Sequence, residues 1–433
     1  MNTTMGATLP SIGMEKLATG IMFMMPVLAL SSSGGMSAAQ LFILLLCGWY
    51  VRKGCFDHCV QYHCQLAWIA LGFGGYFVVS LARLLWFHQA IHTLDGPSRL
   101  LFALSCIVFV AYFRPRIRWF WLGVCAAAIG SGALALCQHY VFGMSRAVGF
   151  TYHAITFGDL ALALGVMSLC AVADFRGTRL APLPILALLL GLLASVLSES
   201  RGSWVALLFV VPPLLYYGRR THARGMLFAV ALMGVAVVLA YLIPATSVAA
   251  RVHEAGMNAR LYFMNGDASS SGGARLELWK ASWMMFVDHP WIGVGRESFH
   301  DALQILLQQG RLQPSRALIY ASSHNDVLNF LATGGLVDFT FLLLMYFAPL
   351  CFFMSVLKRA RGDRHAAALA GVILIACFFA FGLTDVMFWL MAPKIFYGMM
   401  VCGLIGFCLV GADEGDLDGG LRSVDMRAAP TKG

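Results

Sequence analysis

The sequence predicts an all-α polytopic membrane protein of about twelve transmembrane helices with one large extracytoplasmic loop. Composition is the first reason: of 433 residues, 12% are charged and 60% are hydrophobic, and mean hydropathy is +0.76, whereas soluble domains carry about 25% charged residues. Run length is the second. Apolar stretches of roughly 15 to 22 residues recur along the chain, long enough for a helix to cross a hydrocarbon core about 30 Å thick. The third is the absence of period-two alternation in runs such as Leu186 to Val196 and Val205 to Leu215, which excludes a membrane barrel and leaves a bundle whose backbone groups bond internally.

The expected spans are 17–31, 37–50, 66–86, 99–113, 119–137, 152–173, 181–197, 202–217, 224–243, 325–355, 365–388 and 391–411. Domain organisation follows: nine spans over 1–243, a loop domain over 244–324, three spans over 325–411, and a Gly- and Asp-rich tail over 412–433 expected to be disordered and cytoplasmic. The first span, with Lys16 before its apolar stretch, has some features of a signal peptide. Glu15, Pro26 and the lack of an A-x-A site favour a retained helix.

Orientation follows from Lys and Arg in the connections. With a cytoplasmic N-terminus, the inside loops at 51–53, 114–118, 176–179, 219–224 and 358–364 carry fourteen cations. The short outside loops carry five, Arg83, Arg99, Arg146, Arg201 and Lys394. Both termini are therefore expected inside and residues 244–324 outside. The net charge of +9 is a topogenic signal, and nothing in it calls for a nucleic-acid partner.

Most of the twelve cysteines fall within spans and the loop 244–324 has none, so no disulfide is expected to hold that domain. Cys55, His58, Cys59, His63 and Cys64 form a cluster of metal-ligand types. Their spacing departs from the short pairs of structural zinc sites, and a reduced polar loop is the expected state.

The connection 244–324 is the one long loop, and long loops inside compact proteins usually carry function. Pro244 to Arg260 leaves the membrane, Asn265 to Gly273 reads as a flexible Gly/Ser tract, and Arg275 to His289 reads as a helix stopped by Pro290. Leu276, Trp279, Trp283, Phe286 and Val287 share its apolar face, suited to the headgroup level of a bilayer. Asp301 to Gln309 is a second amphipathic stretch carrying Leu303, Leu306 and Leu307.

Charges on the outer face point to the chemistry. Arg201 lies in the tight turn SESRGS, where the orientation rule disfavours a cation; it either snorkels to lipid headgroups or meets an anion. Arg275 is expected to open the loop helix, where a cation opposes the helix dipole unless an anion lies between the guanidinium and the backbone N–H groups. Glu277 and ordinary solvation are competing explanations. His324, in ASSHND, stands where the chain re-enters the membrane, with Asn325 and Asp326 beside it to orient the ring. A histidine there is commonly structural, but a neutral imidazole among arginines also suits proton removal from an alcohol next to an anionic leaving group. No D-x-D or E-x-D pair occurs in an outside loop, and Asp416 and Asp418 belong to the inside tail. A pyrophosphate bound on the outer face would then be neutralised by arginines, without a metal or other cofactor.

The segment GGARLELWKASWMMFVDHPWIGVGRESF, followed by SSHNDVLNFLATGGLVDF and preceded upstream by SESRGSW, resembles the signature region of the O-antigen ligase and O-antigen polymerase superfamily. These motifs cover roughly a fifth of the chain, and the span layout extends the likeness. The resemblance implies a bacterial inner-membrane glycosyltransferase of the GT-C type, acting on the periplasmic face. It implies a glycan donor linked to undecaprenyl pyrophosphate, a lipid A-core acceptor, membrane lipids as surroundings, and inversion at the transferred sugar. By the same likeness Arg201 and Arg275 hold the leaving group and His324 is the acceptor base. The motifs do not rank Arg83, Arg146, His88 and Arg296, which are further candidates to hold phosphates of either lipid, and Asn325 and Asp326 join them as substrate-binding candidates. A polymerase or a protein O-oligosaccharyltransferase of the same superfamily shares this donor chemistry. A transporter or flippase would instead show matched halves and broken helices near the midplane, and no repeat is evident.

Overall fold

The computed structural model describes residues 11–410 apart from 33, 61, 89, 244–247, 266–267 and 314–318; several helical side chains, among them those of His58, Arg201, Arg219 and Arg220, are also outside the description. The tail 412–433 lies outside the described residues. Among those described, every regular element is helical. The main helices are α1 (Ile12–Ser31), α2 (Gly35–Tyr50), α3 (His63–Phe87), α4 (Asp95–Ala103), α5 (Ser105–Phe113), α6 (Ile117–Leu136), α7 (Ala154–Met167) and α8 (Leu183–Leu197). They continue with α9 (Arg201–Leu242), α10 (Val248–Asn265), α11 (Ser271–Asp288), α12 (Phe299–Gln308), α13 (Asp326–Arg359), α14 (Gly362–Gly382) and α15 (Met391–Leu409).

Ten described helical segments are long and apolar enough to cross a membrane. Two shorter apolar helices, Leu183–Leu197 and Gly202–Gly218, occupy the remaining expected positions. The long helix α9 covers both of the spans expected at 202–217 and 224–243, and its packing shows that these halves fold back on each other. Trp204 shares an apolar pocket with Leu239 and Ile243, although a straight helix would place them about 50 Å apart. The arginine-bearing stretch 219–224 therefore lies at the opposite end of the bundle from Arg201.

That basic end gathers other segments expected to be inside loops. Arg116 pairs with Glu15 at 3.0 Å, Arg364 Nε donates to the Cys408 carbonyl, and Lys358, Arg359 and Arg361 line a cleft with Ala173 and His365. At the centre, α7, α14 and α15 are almost wholly enclosed by other helices. They offer rigid support to whatever their outer ends carry.

Two spans differ from expectation. The span expected at 365–388 ends at Gly382, and residues 383–390 form a turn segment before α15. The span expected at 325–355 is broken at Gly335, with φ 62° and ψ −159°, a conformation that only glycine adopts without strain. The loop segment 290–295 repairs this break. The amides of Val294 and Gly295 donate to the carbonyls of Ala332 and Thr333 at 2.9 and 3.0 Å, and those of Leu336 and Val337 donate to Pro290 and Trp291. Gly293 lies against the backbone of Ala332 to Gly334 and Gly335 against that of Trp291 and Ile292, and a Cβ on either would strike the facing chain. This contact explains why HPWIGVG and ATGG occur together.

The loop domain has its own small core, in which Ala274, Leu278, Ala281 and Met285 of α11 meet Phe299, Leu303 and Leu306 of α12 and Ala332 of α13. The expected amphipathicity of 301–309 is realised, and α11 buries within the protein a face other than the apolar one expected at the headgroup level. Trp283 and Val287 are exposed, and the helix buries its small-residue face, including Gly273 and Ala274, against the bundle. Close approach of small residues to α13 outweighs the burial of large ones here. The expected flexible tract is also shorter, since α11 begins at Ser271 under a Ser270 cap that accepts from the Gly273 amide at 3.0 Å.

Among the described residues no group of three or more His, Cys, Asp or Glu side chains is arranged to hold a metal. Around the cysteine cluster, His63 Nδ1 faces the Val60 carbonyl and its Nε2 lies 3.2 Å from Cys64 Sγ. Burial pushes the Cys55 and Cys59 thiols up to about 11 and about 12, so both remain protonated at neutral pH. The side chain of His58 is not described.

Candidate active site

The end of the bundle opposite the arginine-bearing stretch 219–224 holds two polar cavities, and the sequence-predicted residues divide between them. One, of about 440 Å³, is lined by Arg146, Arg275 and His324 together with His153, Glu199, Ser200, Gly202, Tyr320 and Thr384. The other, of about 470 Å³, is lined by Arg83, His88 and Arg296. Arg201 is the first residue of α9, between Ser200 and Gly202 of the first cavity, and its side chain is outside the described residues.

Three helices begin at the first cavity. His153 and Ile155 bring the start of α7, Ser200 and Gly202 the start of α9, and Ser271 and Gly272 the start of α11. Each start presents unpaired backbone N–H groups and the positive end of a helix dipole, so their convergence favours an anion. Arg275 is in the second turn of α11 rather than at its opening, which removes most of the expected dipole conflict. Its guanidinium lines the cavity and makes no hydrogen bond or ion pair among the described residues. Glu277 does not neutralise it: that carboxylate accepts from the Tyr262 hydroxyl at 2.8 Å and lies 3.8 Å from Lys280. Arg146 donates through Nε to the Ser198 carbonyl at 2.9 Å and stands 4.0 Å from Glu199.

The turn carrying Arg201 is locked from below. Asp159, buried in α7, accepts hydrogen bonds from the hydroxyls of Ser200 and Ser203. Glu199 adopts φ 54°, uncommon for a residue with a side chain and characteristic of tightly constrained sites. Gly202 lies against Thr384, whose hydroxyl fills the place a Cβ would take, so the start of α9 and the segment 383–390 fit together only because residue 202 has no side chain.

His324 also has positive φ, 50°. Its Nδ1 is 3.0 Å from Asp385 Oδ1, and its ring packs edge-on against Tyr320. Burial alone would raise the Asp385 carboxyl; the His324 hydrogen bond, the charge of that ring and the Val386 amide outweigh it and hold the group below the usual carboxylate range. Asn325 and Asp326 do not orient the imidazole as expected. Asn325 caps α13 by accepting from the Leu328 amide and donates to the Leu383 carbonyl. Asp326 accepts from the amides of Met387 and Phe388. The two thus shape the segment that carries Asp385, because a residue next in sequence to His324 is turned away by its φ.

In the second cavity Arg83 pairs with Asp338 at 2.6 Å and donates to the Gly334 carbonyl. Arg296 donates to the Trp389 carbonyl at 3.1 Å and lies 3.9 Å over that ring, and burial pulls its guanidinium below its usual value. His88, with φ 49°, ends α3 at the rim.

Asp385 and Asp159 were not singled out from the sequence. Both fell inside runs taken as membrane spans, where a carboxylate is costly enough to mark a functional position; that signal was present and is the one that would have found them.

Residues 186–343 match the family model described as O-antigen ligase. This match bears out the O-antigen ligase family resemblance. The ligase-like region runs from α8 through the middle of α13 and so includes Arg201, Arg275, His324 and the whole loop domain. Asp159, on α7, and Asp385, in the turn segment after α14, lie outside it. An uncharacterized protein of Haemophilus influenzae is 23% identical over 304 residues, covering 69% of this chain and 76% of its own. The ligase-like chain is a multi-pass membrane protein by its apolar helices.

Proposed function

We propose that the protein is a glycosyltransferase that moves a glycan from undecaprenyl pyrophosphate to a sugar hydroxyl of lipid A-core on the periplasmic face of a bacterial inner membrane. The observation carrying this reading is the pairing of His324 with Asp385 in a cavity that Arg275 also lines, with no ion pair or hydrogen bond to Arg275 among the described residues. The cavity brings together a proton acceptor and a site for concentrated negative charge, which transfer from a pyrophosphate to an alcohol requires.

In this mechanism His324 Nδ1–H donates a hydrogen bond to the Asp385 carboxylate, which leaves Nε2 as the basic nitrogen and fixes the ring. Nε2 removes the acceptor hydroxyl proton as that oxygen forms its bond to the anomeric carbon. The bond from that carbon to the pyrophosphate oxygen breaks on the opposite face, inverting the centre, and the lipid pyrophosphate leaves. Arg275, Arg201 and the three helix starts receive the developing charge, an electrostatic role that is strongest in a cavity shielded from water. Arg146 braces the turn that presents Arg201 and Glu199. His324 therefore serves the acceptor and the cations serve the donor.

A lipopolysaccharide gel from a deletion strain tests this reading. Loss of the whole O-antigen ladder with accumulation of lipid-linked polymer is expected. Persistence of one-repeat bands would make the enzyme a polymerase, and an unchanged ladder would remove lipopolysaccharide as its acceptor.

A further inference from the structure

Directly behind the Pro97 and Arg296 wall of the second cavity lies a feature that the transfer step above does not use. Lys394, in the first turn of α15, is 1% exposed and makes no hydrogen bond among the described residues. Its Nζ occupies the place where a Cβ of Gly96 would be, and an Arg296 guanidinium nitrogen lies 3.4 Å from the same point. Two cations thus converge on one bare backbone position at the wall formed by Pro97, Arg296 and Trp389. The carboxylates whose charge reaches Lys394 are Asp95, exposed on α4, and Asp326, whose oxygens are taken by the Met387 and Phe388 amides. Arg83 and Asp338 neutralise each other across the cavity, and Glu297 at the rim faces His92 at 3.0 Å. Away from water an ammonium beside a guanidinium is unfavourable, and the amine gives up its proton unless an anion bridges the pair; the absence of a side chain at residue 96 makes the room for their meeting.

We propose that Arg296 and Lys394 form a second anion site, separate from that of Arg275 and His324, which binds a phosphate monoester on the acceptor glycolipid. This rests on the transfer reading above. The fork of Arg296 is held by the Trp389 ring and carbonyl, leaving its other nitrogens to face the ligand. A phosphate anchored there positions the acceptor independently of the donor pyrophosphate.

The test uses the full-length protein in nanodiscs of zwitterionic lipid, with a deacylated, phosphorylated core oligosaccharide as probe and its phosphatase-treated form as control. Wild type should bind the phosphorylated form at least 10-fold more tightly. Lys394→Met and Arg296→Gln should each abolish that preference while leaving affinity for the dephosphorylated form and for an undecaprenyl pyrophosphate donor unchanged. Inorganic phosphate should compete and phosphatidylglycerol added to the nanodiscs should not; competition by phosphatidylglycerol alone would make this a lipid headgroup site and overturn the proposal. Equal binding of both probe forms by wild type would overturn it as well, as would loss of donor affinity in both variants. Binding is read without turnover, so a failed transfer assay with an intact phosphate preference would refute the transferase reading and leave the anion site standing. Arg296→Gln lies in a loop outside the bundle core and keeps the test available if Lys394→Met does not fold.

Discussion

His324 and Asp385, 61 residues apart in sequence, meet at 3.0 Å between imidazole Nδ1 and carboxylate Oδ1. If His324 is the acceptor base, His324→Ala should lose roughly 10²- to 10⁴-fold in single-turnover rate, with donor affinity near wild type. Asp385→Asn keeps the shape but no longer stabilises the imidazolium or its tautomer, and should cost up to about 10⁴-fold. Rapid-quench rates at saturating donor, beside equilibrium donor binding, check both. Unchanged rate with lost donor binding in His324→Ala would make the ring a pyrophosphate ligand and turn attention to Glu199, the exposed-side carboxylate of the cavity.

The pH dependence has a definite sign. The Asp385 carboxyl is held below its ordinary range, so its contribution to stability is present above the unfolded value of about 3.9 and is lost as pH falls through the lower folded value. Near neutrality it stays ionised. Wild type should therefore melt at a higher temperature than Asp385→Asn at pH 7 and converge with it in strong acid. A rate profile that rises toward acid pH would contradict the assignment of His324 as base.

Arg275→Ala should weaken donor binding and slow transfer, and Arg275→Lys should rescue poorly, since an ammonium cannot reproduce a planar two-point contact with phosphate oxygens. Arg201→Ala is expected to behave alike. Donor titration of purified variants at matched expression decides the matter: full affinity in either alanine variant would assign that arginine to the membrane surface instead.

Arg83→Ala should act on folding. It leaves Asp338 buried beside a broken helix without its cation, a change worth about 3 to 5 kcal/mol in comparable buried pairs. Thermal unfolding in detergent should show a lowered midpoint, with donor affinity preserved in the folded fraction. A normal midpoint with impaired acceptor use would move Arg83 into the substrate-binding set.

Transfer activity is expected to survive excess EDTA, because the cations around the first cavity are protein side chains and helix starts. Loss of activity restored by magnesium or manganese would overturn this account of charge neutralisation. For sidedness, Gln309→Cys in the loop domain should react with an impermeant maleimide in intact spheroplasts, while the native exposed Cys64 should react only after lysis. The reverse pattern would invert the topology and exclude a periplasmic site.

The helices were legible because burial in lipid imposes a long apolar run at each crossing, and run length is a local property. The hairpin within α9 was legible for the same reason, since arginines at 219, 220 and 224 interrupt the run. What escaped were relationships that depend on distant segments. The run FFAFGLTDVMFWL is apolar enough to pass for one helix, and only the side chains of Asn325 and Asp326, bonding to Leu383, Met387 and Phe388, show why it stops at Gly382. The face that α11 buries in the protein was not assigned from the sequence, where its large apolar side chains stood out for the headgroup level, because small residues set the close contact. His324, Arg275 and Arg146 were found as polar exceptions at the outer face, but their separation from Arg83, His88 and Arg296 into another cavity is a property of the fold alone.

The four main-chain bonds between segment 290–295 and the break in α13 have a mechanical consequence. The loop domain is stitched to a transmembrane helix by its backbone, so side-chain substitutions there leave the seam intact, whereas a proline at Val294 or a Cβ at Gly293 would open it. Excised from the membrane part, residues 248–313 would expose those unpaired amides and carbonyls to water along with the apolar floor beneath α11. The domain is thus not a detachable cap, and any force that tilts the lower half of α13 is transmitted to the wall that holds Arg275.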